Sequence, residues 1–181
     1  MPDSNITKKA LASTLKELMN EKSFAKISVT DICERCGMNR KSFYYHFQDK
    51  YDLANWIFDM NFLTIMKKYG HEDSQTIARE LCYHFYVERN FYRKLLKIEG
   101  QNSFKEHFHD FLYSLFHTKL SEMTGDIEGI SEFQLNFFSD AVVSTFDRWL
   151  TGYDPIEPEE FLSEFRLCLQ CISSIDKKIA H

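Results

Sequence analysis

Apolar side chains along this chain recur every three to four positions, and strict two-residue alternation is hard to find. That period fits helices and argues against half-buried strands. Leu11, Leu15, Leu18 and Met19 mark one face of a first helix over about residues 5–22, followed by a short loop at 23–27. Ser28, with Asp31 three positions on, reads as an N-cap with an acidic first turn. It opens a short helix that carries Ile32 and Cys33 and closes near Gly37. A third helix covers about 39–46. A fourth starts at Asp49 and carries Leu53, Ile57, Met60 and Thr64 before Gly70. Further helices are predicted at roughly 73–98, 102–123, 130–151 and 158–178, the first of them with a candidate break near Asn90. The last begins where Pro158 and flanking carboxylates suit a helix start. The fold class expected is all-α.

Punctuation agrees with this pattern. The three prolines stand at 2, 155 and 158, and the six glycines are scattered singly between the periodic stretches. No internal repeat or low-complexity segment is present. The 181 residues suit one ordinary domain or two small ones. No run of about 18 apolar residues exists, and the first residues lack the apolar stretch of a signal peptide. The expectation is a cytoplasmic protein without a membrane partner.

Charge adds an asymmetry. Residues 1–50 hold nine basic and six acidic side chains, a net of +3, whereas the whole chain is at -5 and the remainder therefore at -8. A basic head on an acidic body suits contact with a polyanion at one end only.

Two short helices joined at Gly37 in that basic head suggest a helix-turn-helix. The first must be clamped, so Val29, Ile32 and Cys33 are expected to point inward. The turn needs a residue without a Cβ, and Gly37 provides it. The second must anchor one face, through Phe43 and Phe47, and expose polar residues at its start. Asn39, Arg40, Lys41 and Ser42 are those residues; Arg and Lys read guanine edges and Asn reads adenine.

The run from Ser28 to Leu53 resembles the DNA-binding region of TetR-family regulators, with Ile32, Gly37, the block Phe43-Tyr44-Tyr45-His46-Phe47, Lys50 and Leu53 in order. The resemblance implies base reading by Arg40, Lys41 and Ser42, and phosphate contacts from Tyr44, Tyr45, His46 and Lys50. It also implies a backbone contact from Thr30. Lys50 would lie beside the positive end of the fourth helix, where phosphate binding is favoured. The stretch 140–152 looks like the penultimate helix that many members use to dimerise. Tyr44–Phe47, Lys50–Leu53 and Trp56–Phe58 are also similar to the subgroup near dihydroxyacetone kinase operon regulators, which implies an activator with a protein co-inducer as the alternative to a repressor.

Other constellations are read against a bland alternative. Cys33-x-x-Cys36 and Cys168-x-x-Cys171 have the form of two halves of a zinc site. Both pairs fall inside helices and lie far apart in the chain, so buried core filling is favoured. Cys82 has no partner in sequence. His107 and His109 are two apart, which splits them across a helix. No nucleophile elbow, Walker loop or dinucleotide fingerprint occurs, so no cofactor and no enzyme activity are expected.

In the body, Phe58, Phe62, Phe85, Tyr86, Phe108, Phe111 and Phe138 are candidates to line a ligand cavity, or else to fill a core. Two stripes are candidates for a homodimer interface. One is Phe138, Ala141, Val142, Thr145 and Trp149; the other is Phe161, Phe165, Cys168, Leu169 and Ile172. Paired in two copies they would make a four-helix bundle, presenting two heads to half-sites about one turn or a multiple of ~34 Å apart. The expected organisation is a DNA-binding head at 1–50 and a sensing and dimerising body at 51–181. Its partners would be double-stranded DNA, a second copy, and a small-molecule or protein effector of unknown identity. A helical sensor that does not bind DNA is the rival from another class.

Overall fold

In the computed structural model the backbone is described for residues 2–100, 102–124 and 130–179, and side chains for 4–100, 102–122, 130–168 and 170. The helices are α1 (Pro2–Glu21), α2 (Val29–Arg35), α3 (Arg40–His46), α4 (Lys50–Tyr69), α5 (Ser74–Val87), α6 (Arg89–Leu95), α7 (Phe104–Thr124), α8 (Glu132–Thr151) and α9 (Pro158–Ile179). A 3-10 turn at Phe24–Lys26 joins α1 to α2. No strand occurs among the described residues, and the fold is all-α as the periodicity implies. The chain breaks read at Gly125 and Gly129 lie outside the described residues.

Local chemistry sets the helix starts. The Ser28 side chain accepts the Asp31 amide, and the Asp31 carboxylate accepts the Ser28 amide at 2.7 Å, a closed capping box. Those bonds hold the Asp31 carboxyl far below its ordinary range, with Lys22 adding to the effect. Asn39, Asp49 and Asp73 cap α3, α4 and α5 through their side chains, and Ser131 with Gln134 forms a second box at α8.

The break predicted near Asn90 falls at Glu88, which ends α5 and begins α6. Its carboxylate is held at 2.9 Å by Lys16 of α1, so the kink is placed by a partner 72 positions away.

One hydrophobic core runs from head to body. At the head end, Leu11, Leu15, Leu18 and Met19 of α1 are buried with Phe24, Ile27, Ile32, Phe43, Phe47 and Leu53. At the body end, Phe58, Phe85, Tyr92, Phe104, Phe108 and Phe146 pack ring against ring. The helix α4 belongs to both, packing against α1 on one side and against α5 and α7 on the other. Two further ties cross from body to head near α1: Lys16 to Glu88, and the Lys94 ammonium on the Met19 carbonyl. Any displacement of α4 or α6 is therefore felt in the head.

Candidate nucleic-acid interface

The first half of the motif is a clamp. Ile32 and Cys33 are buried in the head core, with Val29 packed against it. The Arg35 guanidinium donates two bonds of 2.8 Å to the Glu21 carboxylate, and Lys22 pairs with Asp31 at 2.9 Å. The helix then ends in a Schellman turn: the Met38 amide donates to the Cys33 carbonyl and the Gly37 amide to the Glu34 carbonyl. Gly37 sits at φ +66°, the left-handed region that a Cβ penalises. A glycine is thus required where the chain reverses toward α3.

Burial on α3 is sharply one-sided. Phe43 and Phe47 are buried, their centroids 5.8 Å apart, with Phe47 resting on Trp56 of α4. Opposite them Asn39, Arg40, Lys41, Tyr44 and Tyr45 are exposed, while Ser42 and His46 are half-buried. Tyr45 keeps 80% of its surface in water, which for a large ring demands an explanation other than packing. Thr30, at the start of α2, is exposed as well.

Some of these side chains are already engaged. The Asn39 amide oxygen accepts the Ser42 amide at 2.8 Å and the Ser42 hydroxyl at 3.2 Å, so both are tied into the α3 cap. Arg40 reaches along the helix to donate to the Tyr44 hydroxyl at 3.3 Å. Lys41 projects outward at the rim of a hollow of about 400 Å³ between α1 and α3, lined by Thr7, Met38, Asn39, Ser42, Tyr45 and His46. Thr7 was not foreseen from sequence. It lies inside the expected first helix, but its approach to α3 depends on how α1 packs across the head, which periodicity along one helix does not express.

Lys50 stands at the start of α4 as expected, and its ammonium donates to the carbonyls of Phe24 (2.8 Å), Ala25 (3.2 Å) and Ile27 (2.7 Å). Those bonds engage all three of its N–H donors. Burial pushes its pKa down, opposed by the nearby Asp31 and Asp49 carboxylates.

In the body, most of the rings read as lining either a cavity or a core pack on one another. Phe58, Phe85 and Phe108 are buried within centroid distances of 5.3–6.0 Å of each other. Phe111 closes on Phe58 at 5.1 Å and on Phe62 at 4.5 Å. Tyr86 stacks on Trp149 and donates to Glu157 at 2.8 Å. The Tyr92 hydroxyl meets His84 Nε2 at 3.1 Å and the Asn61 amide at 3.3 Å, whereas among the described residues the Ser139 hydroxyl and the Asn55 side-chain oxygen are buried without a hydrogen-bond partner.

A wide opening lies elsewhere. A groove of about 640 Å³ runs between α7, α8 and α9, and is almost wholly apolar. Phe138, Ala141, Val142, Thr145 and Trp149 line one side, and Phe161, Phe165 and Cys168 the other. Phe138 is the one member of the expected ligand cavity found on this wall. The side chains of Leu169, Cys171 and Ile172 lie outside the described residues. Trp149 and Phe161, both on the groove wall, stack face to face where α8 and α9 meet.

Of the cysteines expected to fill the core, Cys36 is half-buried and Cys168 is exposed, because α9 turns it toward the groove and not toward the body core. Cys33 and Cys82 are buried, and burial pushes the Cys82 thiol up to about 12, far from a reactive thiolate. His107 binds Asp59 of α4 at 2.8 Å, and His109 lies 3.4 Å from Asp140 of α8, so the two face different neighbours. No helix among the described residues is long and apolar enough to cross a membrane.

Comparison with known proteins covers both halves. A family model described as "Bacterial regulatory proteins, tetR family" matches residues 11–56, and one described as "Transcriptional regulator C-terminal region" matches residues 72–170. The chain is 30% identical over 105 residues to the HTH-type dhaKLM operon transcriptional activator DhaS of Lactococcus lactis subsp. lactis (strain IL1403). That match covers 55% of this chain and 54% of the relative, so the likeness spans about half of either protein.

Solved structures share the fold over nearly the full length. A TetR transcriptional regulator from Streptococcus agalactiae 2603V aligns with a TM-score of 0.68 at 20% identity, covering 91% of this chain and 93% of that one. The dihydroxyacetone kinase operon activator DhaS aligns at 0.62 and 21%, covering 93% and 97%. NalD of Pseudomonas aeruginosa, a secondary repressor of the MexAB-OprM multidrug efflux pump, aligns at 0.53 and 20%, covering 90% and 96%.

Proposed function

This chain belongs to the TetR family of bacterial transcriptional regulators, which bind DNA, and from that premise we propose that it does so as a cytoplasmic homodimer on an inverted-repeat operator. The observation that carries this reading is the polarity of α3, where the buried Phe43 and Phe47 hold the exposed Arg40, Lys41, Tyr44 and Tyr45 on one outward face. In this reading Arg40 and Lys41 meet base edges in the major groove. Tyr44, Tyr45, His46 and Thr30 meet phosphates, and Asn39 and Ser42 fix the start of α3 and add contacts from the same edge. Thr7 joins them from α1. The head is residues 1–50 and the body 51–181, α4 being the physical link. The protein acts by binding and has no catalytic role.

The second copy docks on the α8/α9 groove. Every described residue of the two expected interface stripes lines that groove. Phe133 and Phe137 extend the apolar surface along exposed α8, in keeping with a four-helix bundle between copies.

Repression by occupancy of a promoter is the first reading of the sign. The second, activation with a protein co-inducer, is favoured by the 30% identity to a protein named as an activator, and by ring-on-ring packing where a small-molecule cavity was expected.

The test is selection of bound duplexes from a random pool, using full-length protein at fixed moderate salt. Enrichment of an inverted repeat is the expected result. Salt-sensitive binding without an enriched sequence would overturn the operator reading, and absence of any binding would favour the sensor that does not engage DNA. Transcription in vitro with the enriched operator placed over or upstream of a promoter then separates repression from activation.

A further inference from the structure

The two arginines that flank the Gly37 turn are held in opposite ways. Arg35, at the end of α2, donates two bonds of 2.8 Å to the Glu21 carboxylate, so its charge is neutralised inside the head. Arg40 opens α3, whose first turn holds no acidic side chain. Its Nη2 donates instead to the Tyr44 hydroxyl at 3.3 Å, one turn along the same helix, and the guanidinium carbon lies 5.7 Å from the Tyr44 ring centroid. A neutral phenol orients a guanidinium without cancelling its charge. The cation stands at a helix start, where the dipole disfavours it, and electronegative groups on a partner surface would relieve it.

The ring that aims Arg40 is itself fixed. Tyr44 meets the fully buried Phe43 edge to face, centroids 5.5 Å apart and planes at 81°, while 49% of its surface stays exposed. Orientation thus passes from the head core through Phe43 and Tyr44 to Arg40. Both partners keep capacity for more. A guanidinium is a planar fork of N–H donors, of which one contact goes to Tyr44, so a parallel pair remains for the N7 and O6 acceptors of a guanine. A phenol hydroxyl both accepts and donates. Here it accepts from Arg40, which leaves its own proton for a phosphate oxygen.

We propose that Tyr44 is a positioning residue for base reading: its hydroxyl holds the Arg40 guanidinium in the orientation that meets a guanine edge, and joins that contact to a neighbouring phosphate. Of the two side chains only Arg40 touches the base, yet discrimination at that base pair depends on both. In the free protein the pair is exposed to water; docking on DNA removes that water and strengthens the bond. The inference rests on the DNA-binding reading above, and gives Tyr44 a role in specificity that a phosphate contact alone does not have.

The test is a double-mutant cycle in full-length protein. Wild type, Y44F, R40A and R40A/Y44F are titrated against the selected operator and against operators substituted at the base pair whose preference R40A abolishes. Y44F keeps the ring that packs on Phe43, so the fold is retained. It should weaken binding to the selected operator about tenfold, as loss of a charge-assisted bond would, and lower discrimination against the substituted operators about fivefold. In the R40A background the same change should weaken binding no more than about twofold, because the group that Tyr44 positions is gone.

Three results overturn the proposal. Equal losses from Y44F in both backgrounds make Tyr44 an independent phosphate ligand. A loss that falls alike on selected and substituted operators, with discrimination intact, does the same. An R40A protein with wild-type base preferences removes Arg40 from reading, and the role of Tyr44 with it. Failure of the underlying reading looks different: wild type itself then enriches no operator, and the proposal falls together with DNA binding.

Discussion

Trp149 and Phe161 lie face to face, ring centroids 4.0 Å apart and planes 11° from parallel, and this stack is where α8 and α9 close on one another. Phe146 meets the edges of both rings at 5.2–5.7 Å, which ties the stack to the body core. Beside the stack lies the apolar groove, walled by Ala141 and Phe138 on α8 and by Phe165 and Cys168 on α9. The stack thus joins α8 to α9 beside a surface that is open among the described residues.

Ala141 is the position at which to test that surface. It is exposed yet lines the groove, so Ala141→Asp places a charge in the proposed interface without touching the core. The isolated fold should change in stability by no more than about 0.5 kcal/mol. Sedimentation equilibrium should show a monomer where wild type is a dimer, because an unpaired charge in an apolar contact is costly. A variant that still dimerises at the wild-type concentration would exclude the groove as the interface.

Contact and scaffold separate cleanly on α3. Phe43 is fully buried, and Phe43→Ala should cost about 3–5 kcal/mol from lost transfer energy and a cavity, abolishing operator binding by unfolding the head. Tyr45→Ala should leave the melting curve within about 0.5 kcal/mol of wild type while weakening binding to every sequence alike. Lys41→Ala should weaken binding with an equally silent melting curve. Calorimetry paired with titration of operator DNA distinguishes these cases, and a Tyr45→Ala protein with normal affinity would remove Tyr45 from the interface.

The turn can be tested on its own. At Gly37 a Cβ would meet no heavy atom within 4 Å, so the penalty of Gly37→Ala is conformational and not steric crowding. It should cost about 1–2 kcal/mol for the left-handed backbone, a fall in melting temperature of roughly 2–4 °C per kcal/mol for a chain of this size. A variant as stable as wild type would mean that the turn relaxes to another geometry.

Legibility in the sequence followed the range of the forces involved. Helix positions were readable where periodicity was joined by a local cap, as at Ser28 with Asp31, which acts over three residues. The Glu88 break was displaced from its expected site because Lys16 on another helix holds it. Aromatic spacing located Phe58, Phe85 and Phe108 on the inner side, but periodicity does not tell rings that line a space from rings that fill it. Lys50 shows the same limit: its charge is written in the chain, whereas the three carbonyls it meets lie 23–26 residues away. The two stripes on α8 and α9 were legible as one apolar wall, since residues at helical spacing share a helix face whatever covers it.

The buried polar cluster at the α4, α5 and α6 junction sets a pH dependence. His84 touches the Tyr92 hydroxyl, and burial holds its pKa below the ordinary value of 6.5, with Glu88 pulling upward and Lys16 downward. The folded state therefore prefers the neutral ring, and below about pH 6.5 the unfolded chain binds the proton first. Stability must fall as pH drops from 6.5 toward the folded pKa, and it must be insensitive to this group above 6.5. The depressed Asp31 carboxyl contributes only at much lower pH, below its ordinary 3.8, where the stability it confers is lost as it protonates. The two limbs are thus separable. Replacing the ring by a side chain that keeps a neutral hydrogen-bonding group, His84→Gln, should flatten the loss between pH 6.5 and 5 and leave the lower limb in place. Denaturant melts across pH 2–8 provide the comparison, and an unchanged slope between pH 6.5 and 5 in the variant would assign that limb to another group.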